Sequence, residues 1–195
     1  MVHCDIKPEN IMFYANNYNC IKVIDYGSSC LATERVYTYI QSRFYRAPEI
    51  MLGVPYTEAI DMWSYGCLLI EMYTGFPLFP ADSEVDLFSR IVEVIGLPPD
   101  QLLTLSARKK QFYRAGEPIM VRNKRGQKRV PGGRPIESCI HCSNKHFIGL
   151  VKECLQWDPA SRISPTDAKN HPFFTIGRRL KRRKTKSVKV FKSFS

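Results

Sequence analysis

The sequence predicts a mainly α-helical fold with a small β-hairpin near its start. Three observations carry this expectation. Residues 59–73 are apolar nearly all round, and 84–95 and 145–156 are amphipathic at helical spacing. Two short apolar runs, 11–14 and 21–24, flank the polar stretch 16–19, as strands flank a turn. Gly75-Phe76-Pro77 and the Gly96/Pro98 pair stand where the first two helices must stop.

Taken in order, the hairpin comes first. Residues 28–56 follow with polar and aromatic side chains and no lasting period, which predicts a long ordered loop of the kind that serves function. Thr57 is placed to cap a helix beginning at Glu58. A helix apolar on every side is a buried central helix, so 59–73 is expected at the core. Residues 116–135, rich in Gly, Pro, Lys and Arg, predict a surface excursion. Helix returns over 145–156 and 164–169.

Composition fits a globular chain. It has 195 residues, 44% of them hydrophobic, and a net charge of +11. No run of eighteen apolar residues exists, so no membrane span is expected. The start shows no secretory leader. Seven scattered cysteines, an odd number, fit free thiols in a reducing intracellular setting better than a disulfide framework. Nine basic residues and no acidic one fall between Arg178 and Ser195. The high charge is therefore expected in a disordered tail over 177–195, with the domain over 1–176.

The chemistry-bearing stretch is His3-Cys4-Asp5-Ile6-Lys7-Pro8-Glu9-Asn10, followed after the hairpin by Asp25-Tyr26-Gly27. These residue types suit transfer of a phosphoryl group to a hydroxyl. That reaction needs a carboxylate to orient the hydroxyl and accept its proton, and Asp5 fits. It needs positive charge on the moving group, and Lys7 fits. It needs hard oxygen ligands for Mg²⁺ between the phosphates, and Asn10 and Asp25 offer them.

These motifs, in this order, closely resemble the catalytic loop and metal-binding turn of eukaryotic-type protein kinases, with Cys4 in place of Arg and Tyr26 in place of Phe. The resemblance continues to about residue 174. It takes in Ala47-Pro48-Glu49, Asp61-Met62-Trp63-Ser64-Tyr65-Gly66 and Asp158-Pro159-Ala160-Ser161-Arg162. It implies the C-terminal lobe of the kinase fold and the cofactors ATP and Mg²⁺. It also implies a buried Glu49–Arg162 bridge, an Asp61 that holds the catalytic-loop backbone, and a Ser42 hydroxyl bridging Asp5 and Lys7.

Within kinases, His3-Cys4-Asp5, Ser28-Ser29-Cys30 and the run from Tyr37-Thr38-Tyr39 to Arg43-Phe44-Tyr45-Arg46 resemble the dual-specificity tyrosine-regulated kinases of the CMGC group. Homeodomain-interacting relatives rank second, because they usually carry Ala at the place of Cys4. The excursion near 100–137 lies where the group carries its insert. The resemblance implies phosphorylation of protein Ser and Thr, tyrosine autophosphorylation at Tyr39, and Arg43 and Arg46 as receivers of that phosphate. It also implies tolerance of proline after the target residue, through Arg46.

The same resemblance implies a Gly-rich loop, a strand lysine, a helix glutamate and a further buried helix, and the 195 residues contain none of them. The expectation is a lobe truncated of its N-terminal partner, acting as part of a longer kinase and inactive alone. Losing four or five buried apolar side chains costs on the order of 10 kcal/mol. The alternative is a non-catalytic remnant that docks proteins, against which Asp5, Lys7, Asn10 and Asp25 all speak. Cys139 and Cys142, near His141 and His146, form a lone C-x-x-C that is weak as a zinc motif. The run 178–184 has two readings, a solvated charged tail or a nuclear import signal, and the expected location is the cytoplasm, the nucleus or both. With only Phe191 and Phe194 near it, nucleic acid is not an expected partner.

Overall fold

The structure, a computed structural model, describes residues 1–14, 17–34 and 38–176. Tyr37 and the basic tail, including 178–184, lie outside the described residues. The architecture is mainly helical, with two small antiparallel two-stranded sheets. The helices are α1 (Pro48–Leu52), α2 (Ala59–Thr74), α3 (Glu84–Ile95), α4 (Asp100–Leu105), α5 (Lys109–Phe112), α6 (Ile136–Ile140), α7 (Lys145–Cys154) and α8 (Pro165–Asn170). Residues 172–176 are also helical. β1 (Ile11–Tyr14) pairs with β2 (Asn17–Val23), and β3 (Tyr113–Arg114) with β4 (Glu117–Pro118).

α2 is the axis of the core. Ile60, Trp63, Cys67 and Ile70 are buried along it. Trp63 stacks on Phe79 with ring centres 6.0 Å apart. The helix begins at Ala59, one residue later than expected, with Glu58 and not Thr57 at the N-cap position; the Thr57 hydroxyl still accepts the Ala59 N–H at 3.3 Å. Gly75 ends the helix in the left-handed conformation, at φ 79°. α7 packs across α2 at Gly66, where a Cβ atom would sit 2.8 Å from Cys154 Cβ and 3.0 Å from the Leu155 side chain. α3 starts at Ser83, whose hydroxyl accepts the Asp86 N–H at 3.1 Å, and ends at Gly96 as expected. Its Phe88 packs on Phe112, Tyr113 and Trp157.

Four further expectations need correction. β2 begins at Asn17, inside the stretch read as a turn, because strand pairing joins backbone groups and does not require apolar side chains. The pairing is irregular between Phe13 and Tyr14, which absorbs the extra residues. The loop 28–56 is not uniformly irregular: it holds a 3₁₀ turn at Arg43–Tyr45 and α1, started by Pro48 and closed by Gly53 at φ 67°. α2 is not buried throughout, since Met72 and Tyr73 in its last turn are exposed. α7 stops at Cys154, two residues earlier than expected, with Leu155 outside helical conformation.

The excursion is strapped to α3. The Ser89 hydroxyl donates to Ile119 O at 2.9 Å and accepts the Val121 N–H at 2.9 Å. Gly132 N–H donates to Val92 O and Arg134 N–H to Glu93 O. An open apolar groove of about 400 Å³ runs between the hairpin, α2 and α8, lined by Ile11, Val23, Met62 and Phe174. Among the described residues, no helix is long and apolar enough to cross a membrane.

The tight α2–α7 crossing gives a test. Gly66→Ala forces backbone movement in a filled core and is expected to destabilise the protein by about 1–3 kcal/mol. A urea titration followed by circular dichroism measures the change.

Candidate active site

The segment 3–10 gets its shape from α2. Asp61, in the first turn of that helix, accepts the His3 N–H at 2.7 Å and the Cys4 N–H at 3.0 Å. Burial pushes the Asp61 carboxyl up from the ordinary range, and these two N–H bonds act against that push. Cys4 can then adopt φ 66°, a conformation disfavoured for a side chain with Cβ. The His3 ring ties the segment to the hairpin: Nδ1 accepts the Asp5 N–H at 3.2 Å, which leaves Nε2–H to donate to Ile24 O at 3.0 Å. Ile24 N–H donates to Asn10 O at 3.0 Å. The strand end leading to Asp25 is thereby tied to the segment 3–10.

Asp5 gathers the donors around it. Its Oδ2 accepts Lys7 Nζ at 2.7 Å and Asn10 Nδ2 at 3.3 Å. Its Oδ1 accepts the Ser42 hydroxyl at 2.8 Å and the Ser42 N–H at 3.0 Å. Lys7 also donates to the Ser42 hydroxyl oxygen at 3.0 Å, so Ser42 bridges the two charged groups. Burial raises the Asp5 carboxyl, but the Lys7 and Ser42 bonds outweigh it and hold the group below the ordinary carboxylate range. Lys7 is raised, first by its bond to Asp5. An open cleft of about 300 Å³ faces Asp5, walled by Gly27, Tyr39, Gln41 and Ser42.

Asn10 spends its amide group on Asp5, donating also to the Asp5 carbonyl at 2.9 Å. Its Oδ1 is the atom left for a cation. Asp25 sits at φ 61° in a turn where Gly27 N–H approaches its Oδ1 at 3.4 Å. One amide oxygen and one carboxylate suit Mg²⁺, which takes few protein ligands and completes its shell with phosphate and water. Tyr26 is half exposed, with its ring 4.9 Å from His3.

Of the remaining expected residues, Glu49 and Arg162 meet in a bidentate pair at 2.6 Å for each bond, both side chains fully buried. Tyr39 is exposed, with the Arg46 guanidinium 4.2 Å from its ring centre. Arg46, and more weakly Arg43, draw the Tyr39 phenol below its ordinary range. Arg46 also donates to Ile40 O at 3.0 Å, to Gln41 O at 2.8 Å and to Glu84 at 3.2 Å. Arg43 donates to Asp82 O at 2.8 Å.

Three site residues were not foreseen. Gln41, buried at φ 67°, donates to Ile60 O and to the Ser64 hydroxyl while its side-chain oxygen accepts Ala47 N–H. Glu84 receives both Arg46 and Arg108, the latter at 2.6 Å. Glu71 accepts the Tyr45 hydroxyl at 2.6 Å. A positive φ leaves no mark in a sequence at a glutamine, and both glutamates look like ordinary helix-surface residues. Cys4 Sγ lies 3.9 Å from Cys30 Sγ, and burial lifts its thiol to about 12. Cys139 and Cys142 each have a local partner. Among the described residues, no set of three or more His, Cys, Asp or Glu could hold a metal ion.

Removing Asp61 is expected to orphan two buried N–H groups. Asp61→Ala therefore loses about 2 kcal/mol or more of stability. Asp61→Asn keeps one acceptor oxygen and recovers part of it. Urea midpoints for the two variants check the order, and equal midpoints for Ala and wild type contradict it.

Comparison with known proteins fits this geometry. The model of the protein kinase domain family matches residues 1–174. Over 174 residues the chain is 48% identical to dual specificity tyrosine-phosphorylation-regulated kinase 2 of Drosophila melanogaster, covering 89% of this chain and 24% of that protein. Over 182 residues it is 44% identical to kinase 4 of the same name from Homo sapiens, covering 93% and 35%. Kinase 3 of Mus musculus is 42% identical, with 90% and 33% covered. The chain thus spans about a quarter to a third of the length of these relatives. With the kinase-domain match over nearly its whole length and these relatives beside it, the chain belongs to the protein kinase family, on the branch of the dual-specificity tyrosine-regulated kinases.

Proposed function

We propose that this chain supplies the phosphoryl-transfer residues of an ATP- and Mg²⁺-dependent kinase that modifies Ser and Thr on proteins and autophosphorylates Tyr39, as part of a longer protein. The observation that supports this reading best is the cluster of Lys7, Asn10 and Ser42 on the Asp5 carboxylate, open to a cleft, with Asp25 near enough to act electrostatically on Lys7. Asp5 is the proton acceptor. Its depressed pKa keeps it ionised at neutral pH, ready to bond the incoming hydroxyl. Two of the three Lys7 ammonium hydrogens go to Asp5 and Ser42, and the third is left for a phosphoryl oxygen. Mg²⁺ bound with ATP supplies charge neutralisation on the phosphates, and Asn10 Oδ1 and Asp25 are the atoms to hold it.

Substrate choice has one physical handle. Gln41 lines the cleft and its carbonyl already accepts the Arg46 guanidinium at 2.8 Å, which makes it a poorer acceptor for an N–H from the residue after the target. Proline has no N–H to leave unpaired, so proline at that position is favoured relative to other residues. Tyr39, exposed beside Arg46 and Arg43, is the self-modified tyrosine; two guanidinium groups suit a phosphate of charge near −2.

The test uses the full-length protein that carries this chain. It is expected to transfer labelled phosphate to a Ser-Pro peptide, and mass spectrometry is expected to find phosphate on Tyr39. Asp5→Asn and Asp25→Ala each should lower the transfer rate by about 10²-fold or more. As pH falls through the depressed Asp5 titration, protonation removes the acceptor and the rate declines. Undiminished transfer in both variants overturns the reading.

A further inference from the structure

We propose that the excursion over 108–134 is a docking surface for a carboxylate-rich protein segment, separate from the Asp5 cleft. Ten basic residues and one acid, Glu117, fall in this stretch. Arg108 and Arg129 are spent inside the fold, on Glu84 and on Glu93 and Asp86. Lys109, Lys110, Arg114, Arg122, Lys124, Arg125, Lys128 and Arg134 are exposed. Among the described residues, no carboxylate pairs with Lys124, Arg125 or Lys128.

A run of like charge is ordinarily a loose, solvated loop. This one is built. Asn123 Oδ1 accepts the N–H groups of Arg125 at 2.9 Å and Gln127 at 3.0 Å, and Asn123 Nδ2 donates to Gln127 Oε1 at 2.9 Å. Asn123 N–H reaches Gln127 O, and Gly126 N–H reaches Asn123 O. Arg122 closes the turn from outside by donating to Gly126 O at 2.7 Å. The turn is mounted on α3 through Ser89, Val92 and Glu93. The backbone that carries Lys124, Arg125 and Lys128 is thus fixed, and an anionic partner meets a loop already ordered.

The partner is read from what surrounds the charge. Val130 is 61% exposed next to Lys128 and Arg129, an apolar contact within the cationic field. Aromatic platforms for bases are not offered: Phe112 is buried, and Tyr113 is half buried with Lys109 over its ring. A peptide with an apolar residue among carboxylates matches this pattern better than a nucleic acid does.

Fluorescence anisotropy on the full protein tests the idea. The probe is a labelled Asp/Glu-rich peptide carrying leucines, beside its Leu→Gly version and a short DNA duplex. Lys124→Glu with Arg125→Glu and Lys128→Glu should weaken peptide binding about tenfold or more. Asn123→Ala keeps every charge but opens the turn, and should weaken it a few-fold. Lys128→Ala, outside the turn's hydrogen bonds, serves if the triple variant does not fold, and should give a smaller loss. Neutralising 178–184 should leave binding within about twofold. Unchanged affinity in the turn variants, loss only on neutralising the tail, indifference to the leucines, or equal binding of the duplex each overturns the proposal.

Discussion

Arg162 is the side chain on which the rest of the site rests. A guanidinium has five N–H donors, and all five are used: Nε on Gln156 O, Nη1 on Glu49 and Ala59 O, Nη2 on Glu49 and Trp157 O. Its flat face lies 5.2 Å from the Trp63 ring centre. A buried pair of this kind is not a net source of great stability, because both charges had to leave water. What it supplies is position. It joins the end of the segment 38–49, the start of α2 and the chain at 156–162 at one point, and none of the three can shift without exposing a charge.

From that point the frame extends through α2 to the segment 3–10. Asp61 stands in the first turn of the helix and holds two backbone N–H groups, and Gln41 and Ser64 fasten a wall of the cleft. Cys4, Asp25 and Gln41 all carry positive φ without being glycine. Each such residue costs on the order of 1 kcal/mol or more. Gln41 lines the cleft, Cys4 directly precedes Asp5, and Asp25 stands two residues before Gly27, so these three strained positions fall in the segments that form the cleft. α2 is the rigid support of these segments.

The parts legible in the sequence were those fixed by local chemistry. Asp5, Lys7 and Asn10 lie within one short loop, and α3 announces itself by period and by Gly96. The Glu49–Arg162 and Asp61 contacts were readable only because the family motif names them, since no spacing rule links residues 113 positions apart. α1 was missed because five residues are too few for a period, although Pro48 and Gly53 marked its ends. Arg129 read as one more cation of a surface stretch. It is buried, because Glu93 and Asp86 happen to face it from α3, and only the packed structure brings those carboxylates there.

The long reach of these contacts bears on how the protein comes to be made. During synthesis, residues 3–25 leave the ribosome well before residue 162 does. Their hydrogen-bond partners on α2 follow some 58 positions later, and the bridge that anchors α2's start comes 113 positions after Glu49. Local turns form in microseconds, but closures of this length wait for the chain. Residues 3–25 are therefore translated well before Arg162 and acquire their geometry only after it, so a nascent chain carries the sequence of the site for much of its elongation without yet possessing the site.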